Sequence, residues 1–198
     1  MVTGIATYYS ARTAEDQLKQ SQEDTDESIR AQASKVAFYS DVENNSSSRH
    51  YYLVNRSADP ISRMHVMISS DVERKKKGTE PRRQKSQLIL WIGSVPPCSR
   101  IVLQSRNMAF DPKAKANRKI PHGTVITLDQ YFTIDSIFFN DSGGRRWKRT
   151  LDELTHWMRP ADEFRAPSQP VTDVSIVQVR LAKSQKVLLE PLKPCGGT

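Results

Sequence analysis

The sequence predicts a mainly β protein, an antiparallel sandwich preceded by one long polar N-terminal helix. Three observations predict it. Short runs of β-branched and aromatic residues recur at close spacing between polar turns. No strand–helix alternation of the kind that builds a parallel α/β sheet interrupts them. Residues 10–36 contain no Gly or Pro and are dominated by Ala, Gln, Glu, Lys and Asp, which is a helical composition.

The helix comes first. Ala14, Leu18, Ser21, Thr25, Ile29, Gln32 and Val36 fall at alternating steps of four and three, the heptad spacing. The middle layers are polar where a strong coiled coil has Leu, Ile or Val. The helix therefore reads as an exposed stalk, a weak dimerising helix or a lid over one sheet edge. Before it, Tyr8-Tyr9 suits a membrane interface. One reading places Met1 inside the last turns of a membrane helix; an ordinary frayed start is the favoured one. No stretch approaches the ~20 apolar residues of a transmembrane helix.

Near Lys35 the period changes from helix-like to strand-like. Val36-Ala37-Phe38-Tyr39 is the first strand, Asn44-Asn45-Ser46-Ser47-Ser48 a polar turn, and Tyr51-Tyr52-Leu53-Val54-Asn55 the second strand. Asp59-Pro60 ends the next turn, because the residue before Pro is biased away from helix. Met64, Val66 and Ile68 alternate with His65 and Met67 as in a half-buried strand. The charged stretch around Arg74, Lys75, Lys76, Lys77, Arg82, Arg83 and Lys85 has no apolar anchor and predicts a mobile basic loop. Leu88-Ile89-Leu90-Trp91-Ile92 and Ile101-Val102-Leu103 are further strands, with a turn from Gly93 to Pro97. A second basic stretch spans residues 111–119.

In residues 127–157 two large aromatic clusters meet across one tight turn. A strand ends in Ile137-Phe138-Phe139, Asn140-Asp141-Ser142-Gly143-Gly144 turns the chain, and Arg145-Arg146-Trp147 starts the return strand. Phe138, Phe139 and Trp147 are expected to supply core. Residues 151–157 read as a helical turn or a last strand. Pro160, Pro167 and Pro170 mark a linker. Residues 174–180 and 187–189 read as two extra strands that pair with each other, and the C-terminal end after Pro194 is expected to be disordered. The division is thus 1–35 helix, 36–158 sandwich, and 159–198 linker, extra strands and tail.

The chain has 198 residues, enough for one domain with appendages. The net charge of +8 favours anionic partners, although a basic surface also serves solubility alone. Two cysteines, Cys98 and Cys195, do not make a disulfide framework, and without C-x-x-C they do not make a structural zinc site. Each sits in a proline-rich turn from which both can pair. Their redox state is left open, with pairing the less favoured outcome.

One resemblance adds to this reading. Leu53-Val54-Asn55-Arg56-Ser57 with Asp59-Pro60-Ile61, then Val95-Pro96-Pro97, then Phe138-Phe139-Asn140-Asp141-Ser142-Gly143-Gly144-Arg145-Arg146-Trp147 resemble small bacterial immunoglobulin-like β-sandwich domains of unknown function. Such domains often follow a membrane helix and a polar juxtamembrane helix. The resemblance covers the middle two-thirds of the chain. It implies an immunoglobulin-like antiparallel β-sandwich and carries no catalytic residues. The long basic loops and the strands after Pro167 depart from the pattern.

Little in the sequence carries chemistry. His50, His65, His122 and His156 have no metal-ligand spacing. Asp152-Glu153 and Asp162-Glu163 read as capping or solvated carboxylates rather than an acid–base pair. Ser142-Gly143-Gly144-Arg145-Arg146 offers backbone N–H groups and guanidinium forks to a phosphate, but Trp147 and its alternating context favour a plain hairpin turn. The expectation is a non-enzymatic interaction or accessory domain without metal or cofactor, cytoplasmic or at the cytoplasmic membrane. Its anion-binding candidates are Arg74, Lys75, Lys76, Lys77, Arg82, Arg83, Lys85, Arg145 and Arg146. Its partner is an anionic lipid surface or an acidic protein; the alternative is a nucleic-acid-binding module using the same loops. Weak dimerisation through the N-terminal helix is a further expectation.

Overall fold

Eleven strands follow one helix in the computed structural model of the chain, which describes residues 3–42, 49–76, 78–114, 117, 118, 120, 124–157, 175–181, 188–193 and 195. The expected turn at Asn44 to Ser48, Lys77, Lys115, Lys119, His122, the three linker prolines, Asp162-Glu163 and the last three residues lie outside them.

Helix α1 spans Thr3–Ser34, starting seven residues before the predicted Ser10, so Tyr8-Tyr9 is helical backbone rather than a frayed start. No helix among the described residues is long and apolar enough to cross a membrane. Residues 11–27 are exposed on every face, about 25 Å of helix at 1.5 Å per residue. The last turns pack: Ala33 is buried and Ile29 lies against the core. The narrow stripe read from the sequence is thus used at one end alone. An exposed Asp26 accepts a 2.7 Å bond from Arg145.

The strands are β1 (Val36–Val42), β2 (Arg49–Asn55), β3 (Ile61–Lys75), β4 (Arg82–Val95), β5 (Ser99–Leu103), β6 (Met108–Phe110), β7 (Val125–Asn140), β8 (Arg146–Arg149), β9 (Leu154–His156), β10 (Ser175–Leu181) and β11 (Leu188–Pro191). They form two sheets. A four-stranded sheet runs β1-β2-β5-β11 and a seven-stranded sheet β6-β10-β4-β3-β7-β8-β9. One buried cluster joins them. Phe38, Tyr51, Leu53, Ile101 and Leu103 come from the first sheet, and Val66, Ile68, Leu88, Leu90, Ile137, Phe139 and Val177 from the second. Each such fully buried side chain contributes roughly 1.5–3 kcal/mol. A cross-sheet tie adds direction: the Tyr51 hydroxyl donates to the Phe132 carbonyl and accepts from the Phe132 N–H at 3.1 Å.

The residues behind the family resemblance have a clear local function. Asn55 is fully buried at the end of β2. Its Nδ2 donates to the carbonyls of Asp59 and Pro96, each at 2.9 Å, and its Oδ1 accepts from the Ser57 N–H and hydroxyl. One side chain therefore fixes two turns, since an unmade bond in this dry position is costly. In the β7–β8 turn, Asp141 accepts from the Arg145 N–H at 2.9 Å and from Trp147 Nε1 at 2.8 Å. Gly144 takes φ 80°, a left-handed conformation open to glycine without strain. The Asp141 and Gly144 positions of the motif are thus the atoms that close the hairpin.

Five expectations are corrected. The basic segment is not a mobile loop: β3 and β4 pair through Arg74↔Arg82, and β7 pairs with β3 on the other side out to Lys75↔Val125. Ladder hydrogen bonds on both sides, with Val72 buried in the core, anchor the charged residues. The strand at Met64 to Ile68 is not half-buried but covered on both faces, because His65 and Met67 are buried too. Residues 93–95 belong to β4 rather than to a turn; Gly93, at φ 90°, sits where the β3–β4 register shifts. The last two strands do not pair with each other. β10 joins β4 in parallel and β11 joins β5 antiparallel, in different sheets, so the fold is not wholly antiparallel. Finally, Cys98 and Cys195 form a disulfide with Cα atoms 5.3 Å apart. The Pro96-Pro97 turn delivers Cys98 just before β5, and β11 pairing on β5 brings the following residues alongside. Leu192 N–H donates to the Cys98 carbonyl at 2.8 Å. Cys195 is therefore tied down, not part of a disordered end.

The second basic stretch is also anchored. Buried Asn117 donates to the carbonyls of Asp111 and Gln178 and accepts the Gln178 N–H at 2.9 Å, holding β10 beside β6.

Candidate functional site

The nine candidate cations do not form one site. Arg74, Lys75, Lys76, Arg82, Arg83 and Lys85 occupy the tip of the β3–β4 hairpin; Lys77 lies outside the described residues. Alternation along the strands sorts them. Arg74 points with the core-facing row, is half-buried, and burial pushes its pKa down. Arg83 is paired, to Glu73 at 4.0 Å and Asp129 at 3.6 Å. Lys85 lies opposite Asp71 in the ladder. Lys75, Lys76 and Arg82 remain as exposed cations at the very tip, beside a 61% exposed Val125.

Arg145 and Arg146 lie at the other end of the same sheet. His65, which marks that end of β3, is nine residues from Arg74, about 30 Å along the strand. The Arg145 N–H and guanidinium are engaged by Asp141 and Asp26, and the turn joins β7 to β8 as a hairpin. Arg146 instead lines a cavity.

That cavity is the feature sequence reasoning missed. It holds about 290 Å³ and is lined by Arg63, His65, Trp91, Phe138, Phe139, Asn140, Arg146, Trp147 and Trp157. Strand register builds it. Trp91, His65, Phe138, Lys148 and Thr155 are successive Cα partners on β4, β3, β7, β8 and β9, one rung across five strands. The His65 ring stacks on Phe138 at 4.9 Å and 3°, and Trp91 leans on His65 at 4.7 Å and 33°. Trp157 stands edge-on to Phe138 at 72°. The Lys148 ammonium lies over both Phe138 and Trp157, at 6.0 and 5.9 Å. Met67 and Ile89 complete a small apolar cluster beneath.

His65 is 5% exposed, and burial lowers its pKa to about 4, against the smaller opposing effect of its hydrogen bond to the Arg63 carbonyl at 3.3 Å. Near neutral pH it is an uncharged aromatic surface. Arg63 has φ 50° in the bulge where the β3 register shifts, which sets it at the cavity mouth. The chain has three tryptophans, and all three line this cavity. Their positions, 91, 147 and 157, show no spacing that announces a common site. Only the β4–β3–β7–β8 register brings them together.

The described histidines sit apart in role: His50 near Tyr52, His65 on Phe138, His156 edge-on to Trp147. Among the described residues no group of three His, Cys, Asp or Glu side chains is placed to hold a metal ion. A second cavity of about 390 Å³ lies at the base of α1, between Ile29, Gln32, Ile61 and Phe139, with Asp59, Asp141 and Arg145 also in its lining. Compared with protein-family models, curated proteins and solved structures, the chain gives no match.

Proposed function

We propose that the two sheets form an immunoglobulin-like sandwich and that the chain is a non-enzymatic interaction domain that engages an anionic partner through the tip of the β3–β4 hairpin. The observation that carries this reading is the grouping of exposed Lys75, Lys76 and Arg82 at one end of β3, while helix α1 docks beside Ile61 at the other end. The intervening thirteen residues separate tip and helix base by about 40 Å. Both expected partners, an acidic protein and an anionic lipid surface, present the negative charge this tip would take, and we put the acidic protein first. Exposed residues 11–27 leave the helix open to self-association, kept weak by the polar layers at Ser21 and Thr25. The disulfide favours an oxidising compartment over the cytoplasm expected from the sequence, since glutathione and thioredoxin keep most cytosolic thiols reduced.

The test is a charge-reversal variant, Lys75→Glu with Lys76→Glu and Arg82→Glu, against wild type. Binding to polyglutamate, phosphatidylglycerol vesicles and duplex DNA is measured at equal low salt. The expected result is polyglutamate binding that weakens steeply with salt and falls at least tenfold in the variant. Vesicle binding that outruns polyglutamate would restore the lipid reading. A DNA log–log salt slope that shrinks in the variant would assign the tip to nucleic acid. No polyanion binding at low ionic strength would remove the proposal.

A further inference from the structure

We infer that the tryptophan-lined cavity is a second, independent binding site, for a single acidic sugar ring of the uronic-acid class. Three features of the cavity lead there. First, it presents aromatic faces to a ligand. Trp91 is 40% exposed and Trp157 is partly exposed, over a dry floor of His65 and Phe138. An aromatic face carries partial negative charge, which attracts the C–H-rich face of a saturated ring. A rung fixed by paired strands holds these rings in place before any ligand arrives, so little ordering cost remains.

Second, the lining carries charge of one sign. Arg63 and Arg146 belong to it, Lys148 lies next to it, and no carboxylate lines it among the described residues. A guanidinium fork matches a carboxylate in two parallel hydrogen bonds. Asn140 adds a side chain that both donates and accepts, which suits ring hydroxyls. Third, a volume of about 290 Å³ is at the low end of ligand pockets and admits one ring rather than an extended chain.

The same observations argue against a nucleic-acid strand. Sequence-tolerant strand binding needs a cationic groove that follows the backbone past several stacked bases. Between this cavity and the basic hairpin tip the same face of the sheet carries Asp135, Asp71 and Glu73. The two cationic regions are therefore interrupted by carboxylates, and the aromatic rung is confined to one end.

Because the cavity is lined by every tryptophan of the chain, intrinsic emission reports on it without a label. Trigalacturonate, neutral maltotriose and an oligo-dT are titrated into the full chain. The expected result is a saturable emission change with trigalacturonate and none with maltotriose. Trp91→Ala, which removes an exposed ring, is expected to weaken binding at least tenfold with unchanged far-UV dichroism. Arg63→Gln, at an exposed position, is expected to weaken it severalfold, and it serves as the reporter if Trp91→Ala does not fold. The hairpin-tip charge reversal is expected to leave trigalacturonate binding unchanged, which separates failure of this site from failure of the tip. No saturable change with trigalacturonate would overturn the inference. So would an equal response to maltotriose, or a response to oligo-dT alone, which would give the cavity to nucleic acid.

Discussion

At the scale of the residue, His65 shows how far one position depends on its neighbours. Its own strand predicts only an alternating, outward side chain. Trp91 on β4 and Phe138 on β7 turn that outward position into a dry one. The rings of Trp91 and Phe138 pack against it, and burial between them pushes its pKa down against the smaller upward effect of its hydrogen bond to the Arg63 carbonyl. The stability consequence follows from linkage. The folded-state pKa of about 4 lies below the unfolded value near 6.5, so the folded state binds fewer protons between them. The stabilisation is complete above pH 6.5, declines as pH falls toward 4, and changes no further below that. Urea unfolding at pH 7 and pH 4 is expected to show up to about 3 kcal/mol of loss from this group. His65→Phe should remove that component; an identical pH dependence in His65→Phe would refute the assignment. Other single residues were more legible. Asn55 and Asp141 stood out in sequence because they carry a family resemblance, and each proves to satisfy several backbone groups at a turn. The Trp91–His65–Phe138 rung had no such signal, since its members belong to three strands and meet only through register.

At the scale of the element, hydrophobic periodicity located most strands, and formal charge misled where it was densest. The segment from Arg74 to Lys85 has the composition of a mobile loop, yet both its ends are strand, paired from Arg74↔Arg82 inward in the long β3–β4 hairpin. Ladder bonds on both sides of β3 outweigh the weak preference of charged side chains against strands, which spans only ~1 kcal/mol. The β7–β8 hairpin was read correctly as a hairpin, but its aromatics divide between two environments. Phe139 and Trp147 enter the main core, whereas Phe138 faces the opposite side with Met67 and Ile89. Trp147 is 6% exposed and its Nε1–H bonds Asp141. Trp147→Ala is expected to cost about 3–5 kcal/mol in chemical unfolding, from lost burial and the cavity left behind. A loss below about 1 kcal/mol would mean that neither the packing nor the hydrogen bond supports the hairpin. Helix α1 illustrates the converse lesson. Its sequence allowed stalk, dimer or lid, and only packing at Ala33 and Ile29 shows that its C-terminal end is docked while residues 11–27 are exposed.

At the scale of the whole molecule, the disulfide is the feature composition could not supply. Two cysteines 97 residues apart become neighbours because β11 pairs with β5, a long-range pairing within the four-stranded sheet that no local pattern encodes. Closing so long a loop restricts the unfolded chain, and its removal is expected to cost about 2–5 kcal/mol. Urea midpoints with and without reductant, compared with a Cys98→Ser, Cys195→Ser variant, measure this. A shift under about 1 kcal/mol would show that strand pairing alone holds the C-terminal end.

Strands β10 and β11 also have a consequence for how the chain can assemble. β10 lies between β6 and β4 and β11 lies against β5, so each covers one flank of a strand in a different sheet. Until residues 175–191 emerge from synthesis, both flanks expose rows of unpaired N–H and C=O groups, the template that other chains can join. These pairings are also among the most distant in sequence, and distant pairings form slowly. A nascent chain that already contains its aromatic face and its basic tip thus still carries two open, adhesive edges. Once β10 and β11 pair, β4 and β5 each have a strand on both sides, and the open edges pass to β6 and β11.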